Sequence, residues 1–261
     1  MAMTANFKLD GKTALVTGAS GGLGRHFAGV LAAAGARVAV CARRMDKVLE
    51  TVAGIEAHSG SGGGKALGVE MDVTDSASVS AAFDAIEEQA GTVTIVVNNA
   101  GVADGKAALE WTEDDWDRIL DTNLKGAWTV AQEAAKRMAA AGTGGVIVNI
   151  ASVLGLRVGK GVLPYAVSKA GLVQMTKALA LELAPQNIRV NALAPGYVET
   201  DLNREYLASE HGQKQIKRIP FRRPGTMEEL SGPLLLLCSE ASGYMTGSIL
   251  AVDGGHLVSS L

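Results

Sequence analysis

Residues 13–35, TALVTGASGGLGRHFAGVLAAAG, pass from a short apolar and β-branched run through a glycine-rich turn into a stretch with helical spacing that closes on Gly35. Gly18, Gly22 and Gly24 stand in a G-x-x-x-G-x-G spacing. A strand that turns into a helix here needs backbone conformations that glycine tolerates, and it aims the first amide groups of the helix at whatever lies beyond the turn. Negative charge is favoured at that end of a helix, so a pyrophosphate suits the place. A bare tight connection is the competing reading, and the spacing differs from the usual G-x-G-x-x-G dinucleotide fingerprint. The strand-turn-helix context favours the cofactor.

Working outward, RVAVCA (37–42), ALGVEM (66–71), TIVVN (94–98), GVIVNI (145–150), IRVNAL (188–193) and SILAVD (248–253) repeat the first run, each too short for a helix and mostly bounded by Gly, Asn or Asp. Stretches with helical spacing lie between them; SASVSAAFDAIEEQAG (76–91) closes on a glycine suited to a helix C-terminus. Strands apolar on both sides that alternate with helices predict an α/β fold: a Rossmann-like, doubly wound, mostly parallel seven-stranded sheet with helices on both faces. HSGSGGGK (58–65) is a low-complexity patch with no helix behind it, and it reads as a flexible loop rather than a phosphate cradle. No repeat or proline-rich linker divides the 261 residues, so one domain over 1–261 is expected.

Composition narrows the class. The chain is 48% hydrophobic with a net charge of −3, and no block of like charges suggests nucleic acid or an anionic membrane surface as partner. MAMTANFKLDGK lacks a cationic segment followed by an apolar one, and no apolar run reaches the roughly eighteen residues of a membrane span, so a cytoplasmic protein with small soluble partners is expected. Cys41 and Cys238 sit in apolar runs and read as buried thiols. Scattered histidines without CxxC or HExxH give no support for a metal.

The strand ends carry the polar chemistry. Where an acid would hold free ribose hydroxyls, VAVCARRMDK presents Ala42, then Arg43 and Arg44. Guanidinium forks suit a phosphate, which favours NADP(H) and leaves NAD(H) possible; a solvated helix start is the other reading, above all for Arg44. Asp72 and Val73 are placed to meet an adenine amino group and ring, while Asp75 or Thr74 suits the cap of the next helix. Asn98 has a structural role as its competing reading. Tyr165 and Lys169 lie four apart in a helical stretch, hence on one face, where an ammonium favours the phenolate and brings a phenol nearer the working range of general acid/base catalysis. Ser152 ends the fifth apolar run, where a hydroxyl can donate to a developing oxyanion. Ser168 reads as a packing contact. Asn123 lies mid-helix, where its amide competes for backbone bonds and suggests a kink or a bound water.

TGASGGLG, NNAG at 98–101, Asn123, Ser152, Tyr165-x-x-x-Lys169, PGYVET at 195–200 and DGG at 253–255 together resemble the short-chain dehydrogenase/reductase family over essentially the whole chain. The resemblance implies hydride transfer between NADP(H) and a carbonyl or secondary alcohol, as in members that reduce 3-oxoacyl groups or other carbonyls. It implies Tyr165 as general acid/base, Ser152 as the group that polarises the substrate oxygen, Lys169 as ribose ligand and acidifier of the tyrosine, and Asn123 as holder of a relay water. Ser20, Leu23, Asn99, Ala100 and Gly101 join Gly18, Gly24, Asp72 and Val73 along the cofactor groove, with Pro195, Gly196, Val198 and Thr200 on the nicotinamide side. Gly21 stands where many NADP(H)-dependent members carry a basic residue, so the phosphate preference rests mainly on Arg43. The resemblance also implies a substrate lid at 201–222 and a homotetramer, with a dimer second. The apolar VLGL (153–156) and GVL (161–163) suggest a partly hydrophobic pocket. An NAD-dependent alcohol or polyol dehydrogenase and a non-catalytic dinucleotide sensor are the alternatives; the second has no need of Ser152, Tyr165 and Lys169 together.

Overall fold

The computed structural model describes residues 6–58, 65–200 and 204–259. Most of the low-complexity patch, 59–64, and the start of the expected lid, 201–203, lie outside the described residues. Strands β1 (Thr13–Thr17), β2 (Arg37–Ala42), β3 (Ala66–Glu70), β4 (Val93–Asn98), β5 (Gly145–Ile150), β6 (Ile188–Pro195) and β7 (Ile249–Val252) form one sheet in the order β3-β2-β1-β4-β5-β6-β7. Every pairing is parallel, a stricter arrangement than the mostly parallel sheet expected. The helices are α1 (Gly22–Ala33), α2 (Met45–His58), α3 (Ser76–Ala90), α4 (Glu113–Leu120), α5 (Gly126–Ala141), α6 (Leu163–Leu183), α7 (Arg204–Ala208), α8 (Glu210–Ile216) and α9 (Ser231–Cys238).

Two cores follow from the period of a strand, which sends successive side chains to opposite faces. Ala14 and Val16 of β1, with Val38 and Val40 of β2, pack with Phe27 and Leu31 of α1 and Leu234 and Leu237 of α9. Leu15, Ala39 and Cys41 point the other way, toward Phe83 and Ile86 of α3 and Val130 and Ala134 of α5. Each fully buried side chain of this size contributes about 1.5–3 kcal/mol, which explains why the strands read as continuous apolar runs. Local chemistry sets the helix ends. Asp75 accepts a hydrogen bond from Ala77 N at 2.9 Å at the start of α3, and Gly91, at φ 78°, closes its other end. Thr112 and Asp115 form a reciprocal capping box at the start of α4.

The strand order places the site. The chain runs from β1 outward to β2 and β3, then returns to lay β4 on the other side of β1. The connections leaving β1 and β4 therefore diverge, and a crevice opens at the carboxyl ends of the strands. Beneath it runs a buried chain of amides and hydroxyls. Asn98 Nδ2 donates to Ala127 O and to Asn149 Oδ1, both at 3.0 Å, Asn149 Nδ2 donates to Thr176 Oγ1 at 2.9 Å, and that hydroxyl donates to Leu172 O at 2.8 Å. The structural reading of Asn98 is the one found. This chain fixes β4 and β5 to α5 and α6.

Asn149→Ala removes two of these buried bonds, each worth about 1 kcal/mol net, so a loss of roughly 2 kcal/mol of folding free energy is expected in urea titration. A loss within experimental error would show that the chain does not brace the sheet.

Candidate active site

The glycine turn is built by close approaches. A β-carbon at Gly24 would lie 2.4 Å from Gly18 O and 2.5 Å from Asn99 Nδ2, so only glycine lets α1 come this near the end of β1. Gly18 and Gly22 take φ of 64° and 51°, the left-handed region. Asn99 holds the turn from β4: its Nδ2 donates to Thr17 O at 2.9 Å, and the backbone N–H groups of Asn99 and Ala100 both donate to Thr17 Oγ1 at 3.0 Å. Gly21, the N-cap of α1, places no side chain over the first amides of the helix. Those amides are donors for an anion.

The turn forms one end of a cavity of about 1070 Å³. Among the expected cofactor contacts, Gly18, Ser20, Gly22, Leu23, Gly24, Arg43, Arg44, Val73, Asn99, Ala100, Gly101, Pro195, Gly196, Val198 and Thr200 line it. Asp72 does not. Its Oδ1 accepts from Thr74 N at 2.9 Å and Thr74 Oγ1 at 2.7 Å, and its Oδ2 lies 3.9 Å from Arg43 Nη1. Partial burial pushes this carboxyl up, but the Thr74 bonds and the Arg43 charge together hold it below the usual carboxylate range. Asp72 thus braces its own turn and anchors Arg43, while Met71 and Val73 supply wall. Arg44 Nη2 reaches Ser20 Oγ at 3.4 Å. Two guanidinium groups and a hydroxyl therefore stand together beside the glycine turn, a donor set that fits a phosphate.

Ser152, Tyr165 and Lys169 meet at the other end of the cavity. Pro164 enters the first turn of α6, where its missing N–H costs nothing, and the helix carries Tyr165 and Lys169 inward together. Ser152 Oγ accepts from Leu154 N at 3.1 Å, which fixes the hydroxyl at the start of a tight turn. Burial pushes the Tyr165 phenol up, and a hydrogen bond with Ser152 opposes that. The sequence assigned the acidifying role to Lys169. Here Lys169 Nζ donates to Ile150 O at 2.7 Å and lies 5.7 Å from the centre of the tyrosine ring, and burial brings the ammonium itself down to about 8. A main-chain carbonyl at the end of β5 accepts one bond from the ammonium, which keeps its charge and its other donors, and Ser152 is the group hydrogen-bonded to the phenol.

Asn123 lies fully buried behind this wall, in a π-helical turn, Asp121–Lys125, that joins α4 to α5. Its Oδ1 accepts from Val102 N at 2.7 Å, and its Nδ2 donates to Val102 O at 2.9 Å and to Ser168 Oγ at 3.1 Å. The expected disturbance of the helix is present, and Ser168 is the packing partner expected of it. The structure adds residues that sequence reasoning missed. Met71, Val102, Arg118, Thr122, Ile150 and Tyr197 also line the cavity, beside Val153, Leu154 and Val162 of the two apolar segments expected to flank the site. Arg118 and Thr122 stand four apart ahead of Asn123, a spacing that was a usable signal. Both cysteines are buried free thiols.

The family model described as enoyl-(acyl carrier protein) reductase matches residues 18–256. The 3-oxoacyl-[acyl-carrier-protein] reductase FabG of Aquifex aeolicus (strain VF5) is 41% identical over 254 residues, covering 95% of this chain and 98% of that protein. The 2-dehydro-3-deoxy-D-gluconate 5-dehydrogenase of Escherichia coli (strain K12) is 38% identical over 252 residues, covering 96% and 97%. A crystal structure of a gluconate 5-dehydrogenase from Burkholderia cenocepacia J2315 in complex with NADP and tartrate matches with a TM-score of 0.92 at 35% identity, over 98% of this chain and 99% of that one. A parallel sheet with its crevice at the strand ends, and a hydroxyl, a phenol and an ammonium gathered there, define an oxidoreductase of the alcohol and carbonyl class. The chain belongs to the short-chain dehydrogenase/reductase family.

Proposed function

We propose that this protein transfers a hydride between NADP(H) and a carbonyl or secondary alcohol, with Tyr165 moving the proton. The observation that carries the reading is one continuous cavity with a phosphate-compatible glycine turn and arginine pair at one end and the Ser152–Tyr165 pair at the other. Gly18, Ser20, Gly22, Leu23 and Gly24 would hold the pyrophosphate, Arg43 and Arg44 the 2′-phosphate, and Val73 with Asn99, Ala100 and Gly101 the adenosine. Pro195, Gly196, Val198 and Thr200 would flank the nicotinamide, which when bound supplies or accepts the hydride. NAD(H) makes no use of the arginines and is the second choice.

The roles of the chain's own groups follow from their surroundings. Ser152 donates to the substrate oxygen as charge gathers on it. Tyr165, raised by burial, keeps its proton through neutral pH and can give it to that oxygen; the reverse reaction asks it to take a proton and is favoured as pH rises. Lys169 holds its charge below about pH 8 and offers donors toward a ribose. Asn123, buried behind Ser168, holds the Val102 segment and is assigned the relay water. Residues 1–261 act as one domain in this reading, with a lid at 201–222 that includes α7 and α8. The large side chains of Trp128, Leu181 and Tyr244 are exposed outside the crevice and support assembly with further copies, a tetramer first and a dimer second. A cytoplasmic setting and a small-molecule substrate complete the reading.

Tyr165→Phe is expected to abolish nearly all turnover, measured by loss of NADPH absorbance, while NADPH binding by fluorescence titration stays near that of the parent. Turnover close to the parent would overturn the assignment. Arg43→Ala is expected to lower the ratio of kcat/KM for NADPH over NADH by at least about tenfold, as the loss of a charge-assisted phosphate contact predicts; an unchanged ratio would place phosphate recognition elsewhere. In pH profiles with a carbonyl substrate, kcat/KM should hold below about 8 and decline above it as the Lys169 ammonium of the free enzyme loses its proton. Lys169→Met should lower the rate and remove that limb.

A further inference from the structure

The catalytic end of the cavity has apolar walls. Leu154 and Val162 face it together with Val102, Val153 and Tyr197. The loop 156–162 is laid directly on two of these side chains: a β-carbon at Gly159 would lie 3.1 Å from Leu154 Cδ2 and 3.3 Å from Val162 Cγ2. Gly161, at φ 78°, turns the loop so that its carbonyl accepts from Lys106 N at 2.9 Å, which ties the loop to the segment after β4 across the mouth. Outward from the wall the apolar surface continues through Leu156 and Leu163, each 44% exposed, to Val158, 93% exposed.

Charge is committed elsewhere. The charged side chains that line the cavity among the described residues are Arg43, Arg44, Arg118 and Lys169. The first two stand at the glycine-turn end, Arg118 is bound to Asp104, and Lys169 donates to Ile150 O. Arg157, in the loop itself, turns away and donates to His256 O at 2.5 Å and Ser259 Oγ at 3.2 Å. Lys160, also in the loop, is exposed and does not line the cavity, so a substrate carboxylate at the apolar wall would meet no cavity-lining cation outside these contacts, and a hydroxylated arm would lose water against leucine and valine without replacement bonds.

We infer that the substrate is a carbonyl compound with an apolar alkyl or acyl arm that lies along Leu154, Val162 and the 156–162 loop, and that sugar acids are disfavoured. This rests on the hydride-transfer reading above and names its substrate class. The test compares kcat/KM with NADPH for the 3-oxobutanoyl, 3-oxohexanoyl and 3-oxooctanoyl thioesters of N-acetylcysteamine, for 2-butanone, 2-hexanone and 2-octanone, and for 5-keto-D-gluconate. Within each series kcat/KM should rise by about threefold for each methylene that becomes buried, chiefly through KM, and 5-keto-D-gluconate should be the poorest substrate. Leu154→Ser and Val162→Ser should flatten the rise, a ratio taken within one variant and so independent of how much of it folds. Turnover with no dependence on arm length, or preference for 5-keto-D-gluconate over the longest arms, would overturn the inference alone. Turnover of none of these compounds would overturn the hydride-transfer reading and this inference with it.

Discussion

The bond from Lys169 Nζ to Ile150 O, 2.7 Å long, sets the geometry on which the rest of the site depends. It joins a helix to the last residue of β5, two positions before Ser152. It thereby fixes how α6 is turned, and so where Tyr165 stands relative to the serine hydroxyl. The approach is close along the whole contact: a β-carbon at Gly155 would lie 2.7 Å from Lys169 O. Holding an ammonium away from water is costly, and the drop of its pKa to about 8 expresses that cost. The sheet tolerates it because both of its faces are already covered by helices, and the polar chain from Asn98 to Thr176 anchors the same strand from below. A proton carrier raised by burial and a cation lowered by burial are two results of one decision to seal the site.

The architecture was legible in the sequence because its signals are local. Short runs apolar on both sides, glycine at the helix ends and a glycine turn between strand and helix each constrain the backbone within a few residues. The pairing of Tyr165 with Lys169 was legible for the same reason, since four residues bring side chains to one helix face. That the ammonium is tied to Ile150 O was not legible, because this acceptor belongs to another segment. The local turn of Asp72 was hidden as well: its carboxylate accepts from Thr74, two residues on. Membership of the cavity wall, as for Met71 and Tyr197, depends on how distant segments converge, and no periodicity encodes that. Asn123 lies between these cases. Its residue type betrayed a disturbed helix, but its ties to Val102 and Ser168 come only from the fold.

Overall likeness does not separate the substrates of this family's members. A reductase of acyl thioesters and a dehydrogenase of a sugar acid are 41% and 38% identical to this chain over nearly the same span. Discrimination has to come from a few side chains at the mouth and from where the surrounding cations are spent. In this protein the guanidinium groups nearest the mouth, Arg118 and Arg157, are bound to the protein itself.

Because all the paired strands run the same way, the two rims of the sheet have separate duties. The rim at the strands' amino ends is closed by compact turns such as Gly35, Gly91 and Asn187, whose left-handed backbone or tight packing decides whether the helices dock at all. The reactive rim is spun from longer excursions that the sheet merely holds up. Variation on that side can redirect chemistry without unpicking the framework, so new specificities in such a scaffold are most accessible by exchanging the 156–162 segment, while the opposite border is the place to attach a fusion partner or a surface tether.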